Sequence, residues 1–258
     1  MPIKLIVTDL DGTLLRNDKS ISQYTAEVLE RCRGQGIRLV FATARPRRTL
    51  QLFLGQVPAD ALILHNGAVA FIGERKVLHH GIEPQAAASL LMALAREFPG
   101  KKLSVEIEDV LYANFDVSLI WDNTSAVRSD FTNLPGLPAD KIIAEASSAR
   151  EIEMLSRRLP EDLYIEFIDG KLGMIMHRRA TKWNAVRAVS DALGISTADI
   201  AAFGDDYNDI GMLRHCGIGV TTENALGEAK AASDEICGSN EEDGVARWLE
   251  GKLLCPSK

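Results

Sequence analysis

An apolar run from Lys4 to Thr8 ends in Asp9-Leu10-Asp11-Gly12-Thr13. The run predicts a buried strand, from which two carboxylates enter a glycine turn. At ~4 Å two such charges repel by about 4 kcal/mol at an effective dielectric near 20. Core packing gives no reason to tolerate that repulsion. A hard divalent cation with oxygen ligands offsets it. The other reading is a strand ending in a polar turn, where Asp and Gly are common.

A second acidic strand end decides between them. Ala201-Ala202-Phe203 leads into Gly204-Asp205-Asp206-Tyr207-Asn208-Asp209. Asn208 and Asp209 suit the N-cap of a short helix over Ile210 to Arg214. Capping accounts for one acid, not for Asp205, Asp206 and Asp209 together, so a metal site shared by the two strand ends is the better reading. Between them, Ile37 to Ala42 is apolar and ends in Thr43-Ala44-Arg45-Pro46. The Thr43 hydroxyl and the N–H groups of the Ala44 loop are potential donors to phosphate. The alternative is that Thr suits a strand and Pro46 opens a helix. Later, Ala185, Val186, Val189, Ala192 and Leu193 have helical spacing after Thr181-Lys182. Thr181 is the expected N-cap, which puts Lys182 in the first turn, the wrong end for a cation by the dipole rule. Lysine plus a helix N-terminus makes an anion site; a solvated lysine is the alternative.

These four segments resemble the haloacid dehalogenase (HAD) superfamily of phosphohydrolases, in particular its Cof-type sugar-phosphatase branch. The family's D-x-D-G-T is matched by Asp9, Asp11, Gly12 and Thr13. Its strand-end Thr or Ser is matched by Thr43 and its Lys by Lys182. G-D-x-x-N-D is matched by Gly204, Asp205, Asn208 and Asp209. The order holds across residues 3 to 238. Ala44 and Trp183 stand where the branch usually has glycine.

The resemblance implies a Mg²⁺-dependent phosphatase acting on small phosphorylated metabolites such as sugar phosphates. Asp9 would be the nucleophile and form an aspartyl-phosphate. Asp11 would be the acid and base. Asp9, Asp205 and the main-chain carbonyl of Asp11 would hold Mg²⁺. Thr43 with the Ala44 loop, Lys182 and Asn208 would hold the phosphoryl group, and Asp209 would orient the lysine or a metal-bound water. A phosphomutase, which keeps Asp11, is an alternative. A non-catalytic phosphate-ligand-binding protein on the same fold is another, though the intact Asp9, Asp11, Lys182 and Asp205 speak against it.

Strands and helices alternate over residues 1–82 and 180–258, which predicts an α/β fold, a Rossmann-like parallel sheet with helices on both faces. Ligands bind such sheets beyond the carboxyl ends of the strands, where Asp9, Thr43 and Asp205 fall. Residues 83–179 read as α+β, with a hairpin turn near Asp109 and a second at Asp169-Gly170. By the resemblance this insert is a cap domain. Asn66 and Gly67 lie near the expected hinge and are candidate substrate contacts. The chain has 258 residues and a net charge of −7, which argues against non-specific nucleic-acid binding. No apolar run approaches the ~20 residues that span a bilayer, and the N-terminus does not read as a signal peptide. Cys32, Cys216, Cys237 and Cys255 are far apart, as expected of reduced thiols in a cytoplasmic protein. The sequence names neither the substrate nor the oligomeric state.

Overall fold

The computed structural model describes residues 3–254 apart from 123 and 169. The chain opens with β1 (Leu5–Thr8), α1 (Gln23–Gly34), β2 (Arg38–Ala42), α2 (Gln51–Gln56), β3 (Ala61–Leu64), β4 (Val69–Ile72) and β5 (Arg75–His79). Next come α3 (Pro84–Glu97), β6 (Leu103–Ile107), β7 (Val110–Ala113), β8 (Val127–Arg128), β9 (Lys141–Glu145), α4 (Ala149–Ser156), β10 (Leu163–Ile168) and β11 (Leu172–His177). It closes with α5 (Lys182–Leu193), β12 (Ile200–Gly204), α6 (Ile210–His215), β13 (Ile218–Thr222), α7 (Gly227–Ala232), β14 (Glu235–Cys237) and α8 (Gly244–Leu249). Two compact units result: residues up to Leu78 together with Thr181 onward, and His79–Ala180.

The first unit is built on an eight-stranded sheet in the order β14-β13-β12-β1-β2-β3-β4-β5. The pairings from β14 to β3 are all parallel. β1 is buried on both faces, as an unbroken apolar run in a parallel sheet requires. Ile6, Phe41 and Phe203 point to one side, with Val28 and Leu29 of α1 and Val245 and Leu249 of α8. Leu5, Val7, Val40 and Ala202 point to the other, with Val186 and Val189 of α5. α1 starts where Ser22 accepts the Thr25 N–H at 3.0 Å, an N-cap that satisfies one orphan donor.

The register sets the site. Thr8 lies level with Phe41 on one neighbour and with Phe203 on the other. Asp9, Thr43 and Asp205 therefore leave the same end of three adjacent strands. β1 is also where the chain's strand order reverses, so this end is the crevice of the sheet.

Four elements go beyond the sequence reading. β4 pairs antiparallel with β3, and with β5 it extends the otherwise parallel sheet. A four-residue strand turning at Gly73, which has φ +57°, is too short to show a period. β8 and α8 are likewise short, with two and six residues. Asp169 and Cys255 lie outside the described residues.

The second unit has a six-stranded sheet in the order β10-β11-β9-β6-β7-β8. β6 and β7 form a hairpin whose turn residues Glu108 and Asp109 both have positive φ, as a two-residue primed turn demands. Leu90, Leu91 and Leu94 of α3 and Leu155 of α4 pack on Val105, Ile142 and Ile175. No described helix is long and apolar enough to cross a membrane.

Phe203 is fully buried and meets the Trp248 ring edge-on at 5.3 Å between centroids. Phe203→Ala should cost about 3–5 kcal/mol of stability, read by chemical denaturation. A loss below about 1 kcal/mol would mean that the core does not depend on this packing.

Candidate active site

The site grows from Asp9, which continues β1 and donates its N–H to the Phe203 carbonyl at 2.9 Å. Its carboxyl is buried, and Lys182 Nζ lies 2.8 Å from Oδ1. Lys182 opens α5, whose N-cap Thr181 accepts the Asn184 N–H at 3.2 Å. Its side chain is fully buried rather than solvated, with Asp209 Oδ1 2.7 Å from Nζ on the other side. Burial alone would lower the lysine's pKa, but Asp209 and Asp9 outweigh it and hold the ammonium charged.

Asp209 is buried, and its Oδ2 accepts the N–H groups of Asp205 and Asp206 at 3.0 and 3.1 Å. Asp206 caps the following turn in a reciprocal capping box with Asp209. α6 begins at Ile210 with Asp209 at its N-cap position, as expected, but the Asp209 side chain makes no cap bond to α6; the side-chain cap is that of Asp206, on the turn before it. Thr13 Oγ1 donates to Asp205 Oδ1 at 2.5 Å. Gly12 has φ +78°, and a Cβ there would fall 2.3 Å from Asp205 Oδ2, so only glycine permits this approach. Its carbonyl accepts from Asn224 Nδ2 at 2.7 Å, which fixes the loop.

Asp9, Asp205 and Asp209 each bring an oxygen within 4.8 Å of the others. Burial is the largest influence on Asp9 and raises its pKa; Lys182 opposes it, and Asp209 and Asp205 add to it. Burial also raises Asp205, to about 6, against the hydrogen bond from Thr13. Three carboxylates thus face one buried ammonium, a surplus of negative charge that a divalent cation fits. Both oxygens of Asp209 are already engaged, by Lys182 and by two backbone N–H groups. Asp9 and Asp205 are therefore the side chains placed to hold a metal ion.

The Asp11 side chain lies outside that cluster. Arg45 Nε and Nη2 donate to Asp11 Oδ2 and Oδ1, both at 2.6 Å. Lys19 Nζ adds a contact of 2.8 Å to Oδ1. Burial pulls the Asp11 carboxyl upward, but the bonds from Arg45 and Lys19 win and bring it down to about 2. The sequence reading missed both partners. The available signal was Arg45 itself, three residues past the end of β2, which lies beside Asp9. The Arg45 guanidinium also sits 5.3 Å from the centroid of the Phe53 ring.

Thr43 is buried, and its Oγ1 accepts the Arg45 N–H at 3.2 Å, leaving the hydroxyl hydrogen to be donated elsewhere. Ala44, between them, is half-buried. Asn208 donates Nδ2–H to Asn66 Oδ1 at 3.0 Å. Trp183 turns into the core beside α6, 5.1 Å from the His215 ring. Asp9, Lys182, Asp205 and Asp209 come together in direct contact or within ligand distance.

The family profile for haloacid dehalogenase-like hydrolases matches residues 6–249. The chain belongs to this family. A Haemophilus influenzae relative with a general phosphatase name is 31% identical to this HAD-like hydrolase, covering 98% of this chain and 99% of its own. The 5-amino-6-(5-phospho-D-ribitylamino)uracil phosphatase YitU of Bacillus subtilis is 28% identical, covering 95% and 96%. A crystal structure of a haloacid dehalogenase-like hydrolase from Bacteroides thetaiotaomicron superposes with a TM-score of 0.85 at 25% identity, covering 96% and 98%.

The charge surplus predicts a pH dependence of stability. With Asp205 raised to about 6 and Asp9 raised as well, the metal-free folded state keeps protons that the unfolded chain releases near 3.8. The stability from these groups is full below that value and is lost as pH rises through about 6 and beyond. Thermal melts in chelator should show this HAD-like hydrolase losing Tm from about pH 4 to about pH 7, with Asp205→Asn flattening the slope. A slope unchanged by Asp205→Asn would contradict this assignment.

Proposed function

We propose that this chain is a Mg²⁺-dependent phosphatase that hydrolyses small phosphorylated metabolites through an aspartyl-phosphate on Asp9. The observation that carries the reading is the buried Lys182 held between Asp9 and Asp209, beside Asp205. Lys182 takes Oδ1 of Asp9, which leaves Oδ2 to attack phosphorus. The bond from phosphorus to Asp9 forms as the bond to the ester oxygen breaks. Asp11 gives its proton to the departing alkoxide. It then takes one from the water that cleaves the acyl phosphate, restoring Asp9 and releasing inorganic phosphate. Thr43, the Ala44 loop and Lys182 hold the phosphoryl oxygens, while Asp209 keeps Lys182 in place. Asn208 adds a further contact to the bound ester. Asp9, Asp205 and the Asp11 carbonyl would hold Mg²⁺, which when bound supplies charge neutralisation at the carboxylates and the phosphoryl group.

Asp11 needs a further step. Arg45 and Lys19 hold it as an anion, the form that takes the proton from water. Before it donates, these contacts must loosen, and an entering phosphate dianion competes for the same two cations. The family resemblance supports reading the α+β unit as the cap domain. YitU's named substrate, an aminouracil that carries a phosphorylated ribityl chain, supports a phosphomonoester of a polyhydroxylated metabolite. Buried free Cys32 and Cys237 fit a reduced, cytoplasmic setting.

p-Nitrophenyl phosphate should be hydrolysed with Mg²⁺ and not in chelator, and Asp9→Asn should bring turnover to background. Full activity without metal, or in Asp9→Asn, would sink the proposal. Asp11→Asn should slow the phosphorylation step about 10²–10⁴-fold for alkyl phosphates. It should slow p-nitrophenyl phosphate less, since that leaving group needs little protonation. Rapid-quench kinetics measures both, and equal losses would remove Asp11 from the acid role.

A further inference from the structure

The turn after β3 is bent more sharply than its role as a connection requires. His65, Asn66 and Gly67 have φ of +49°, +54° and +94° in succession. Consecutive non-glycine residues in the left-handed region carry strain, which persists only where the surroundings impose it. Here the surroundings are the site. The Asn66 N–H donates to the Thr43 carbonyl at 3.0 Å, and the His65 N–H to the Arg45 carbonyl at 3.3 Å. A Cβ on Gly67 would fall 2.2 Å from the carbonyl oxygen of Thr181, the residue that caps the Lys182 helix. The turn is wedged between the loop after β2 and the start of α5.

This wedge delivers one side chain. Asn66 is buried, and its Oδ1 accepts the Nδ2–H of Asn208 at 3.0 Å. The other end of that carboxamide, Asn208 Oδ1, is a buried acceptor with no partner among the described residues. A buried acceptor left unmatched is costly, so such a group signals a missing donor. A fully ionised phosphate oxygen cannot serve, because it only accepts. A water or a hydroxyl of the bound ester can.

We infer that Asn66 is a positioning residue: it grips Asn208 by Nδ2 and so presents Oδ1 to a proton-donating group of the bound substrate. The inference rests on the reading of Asn208 as a substrate contact. Asn66 itself touches Asn208 and need not touch the ester. Its left-handed backbone adds a constraint on residue type, since asparagine and glycine tolerate that region and alanine does not.

Asn66→Gly is therefore the informative variant, because it keeps the backbone and deletes the side chain. NMR of the Asn208 side-chain amide, assigned by its disappearance in Asn208→Ala, should show a proton protected from exchange in the wild type. That protection should vanish in Asn66→Gly. With Mg²⁺ and D-ribitol 5-phosphate, an ester whose hydroxyls can donate to Asn208 Oδ1, Asn66→Gly and Asn208→Ala should each lower kcat/KM about tenfold. The double variant should fall no further than Asn208→Ala alone, within about twofold, as coupled residues do. An unchanged Asn208 amide, an active Asn66→Gly, or losses that multiply would overturn the inference. Full activity in Asn208→Ala would overturn both this inference and the role given to Asn208. If the wild type turns over neither D-ribitol 5-phosphate nor p-nitrophenyl phosphate, the phosphatase reading fails and the amide signal still decides whether Asn66 holds Asn208.

Discussion

The site depends on one fully buried ammonium, that of Lys182, clamped between Asp9 from the end of β1 and Asp209 from the loop after β12. Taking a lysine out of water is costly unless it is paired and hydrogen-bonded. Here each partner is fixed by something else. Asp9 is held through its backbone to Phe203, and Asp209 through two N–H groups of its own loop. Removing one member of such a buried pair typically costs 3–5 kcal/mol, roughly, because the other charge is stranded. The arrangement therefore specifies where α5 starts as much as it stabilises the fold.

In the proposed mechanism the ion pair is also the basis of the chemistry. One ammonium does not balance three carboxylates, and the excess sits on Asp9 and Asp205, the two acids whose oxygens are not both engaged. That imbalance suits the proposed reaction, in which the site receives a cation and an anionic ester together. Asp11 is kept apart from it by Arg45 and Lys19. The two acids of one motif, two residues apart, thus have opposite surroundings: burial and like charges raise Asp9, and two cations lower Asp11. Divergent environments of this kind are how a nucleophile and an acid–base are told apart.

Much of this was legible in the sequence because strand ends announce themselves. Asp9, Thr43 and Asp205 each follow an apolar run, and strand–helix alternation places such ends together in a parallel sheet. Lys182 was legible as a cation at the wrong end of a helix. The pairing of Asp11 with Arg45 was not, because it depends on the register of β1 against β2 and on a loop path that no period encodes. Asn66 stood out only as lying, with Gly67, near the expected hinge. Its grip on Asn208 joins residues 142 positions apart. The β4 strand was lost for a different reason: four residues beside a glycine turn carry too little pattern to separate strand from loop.

Rapid-quench mass spectrometry of the peptide carrying Asp9 tests the central claim most directly. The Asp11→Asn protein, mixed with Mg²⁺ and p-nitrophenyl phosphate and quenched in acid, should carry one phosphoryl group on Asp9, formed no later than the first release of nitrophenol. Nitrophenol released in the first turnover with Asp9 unmodified at every quench time would contradict the account.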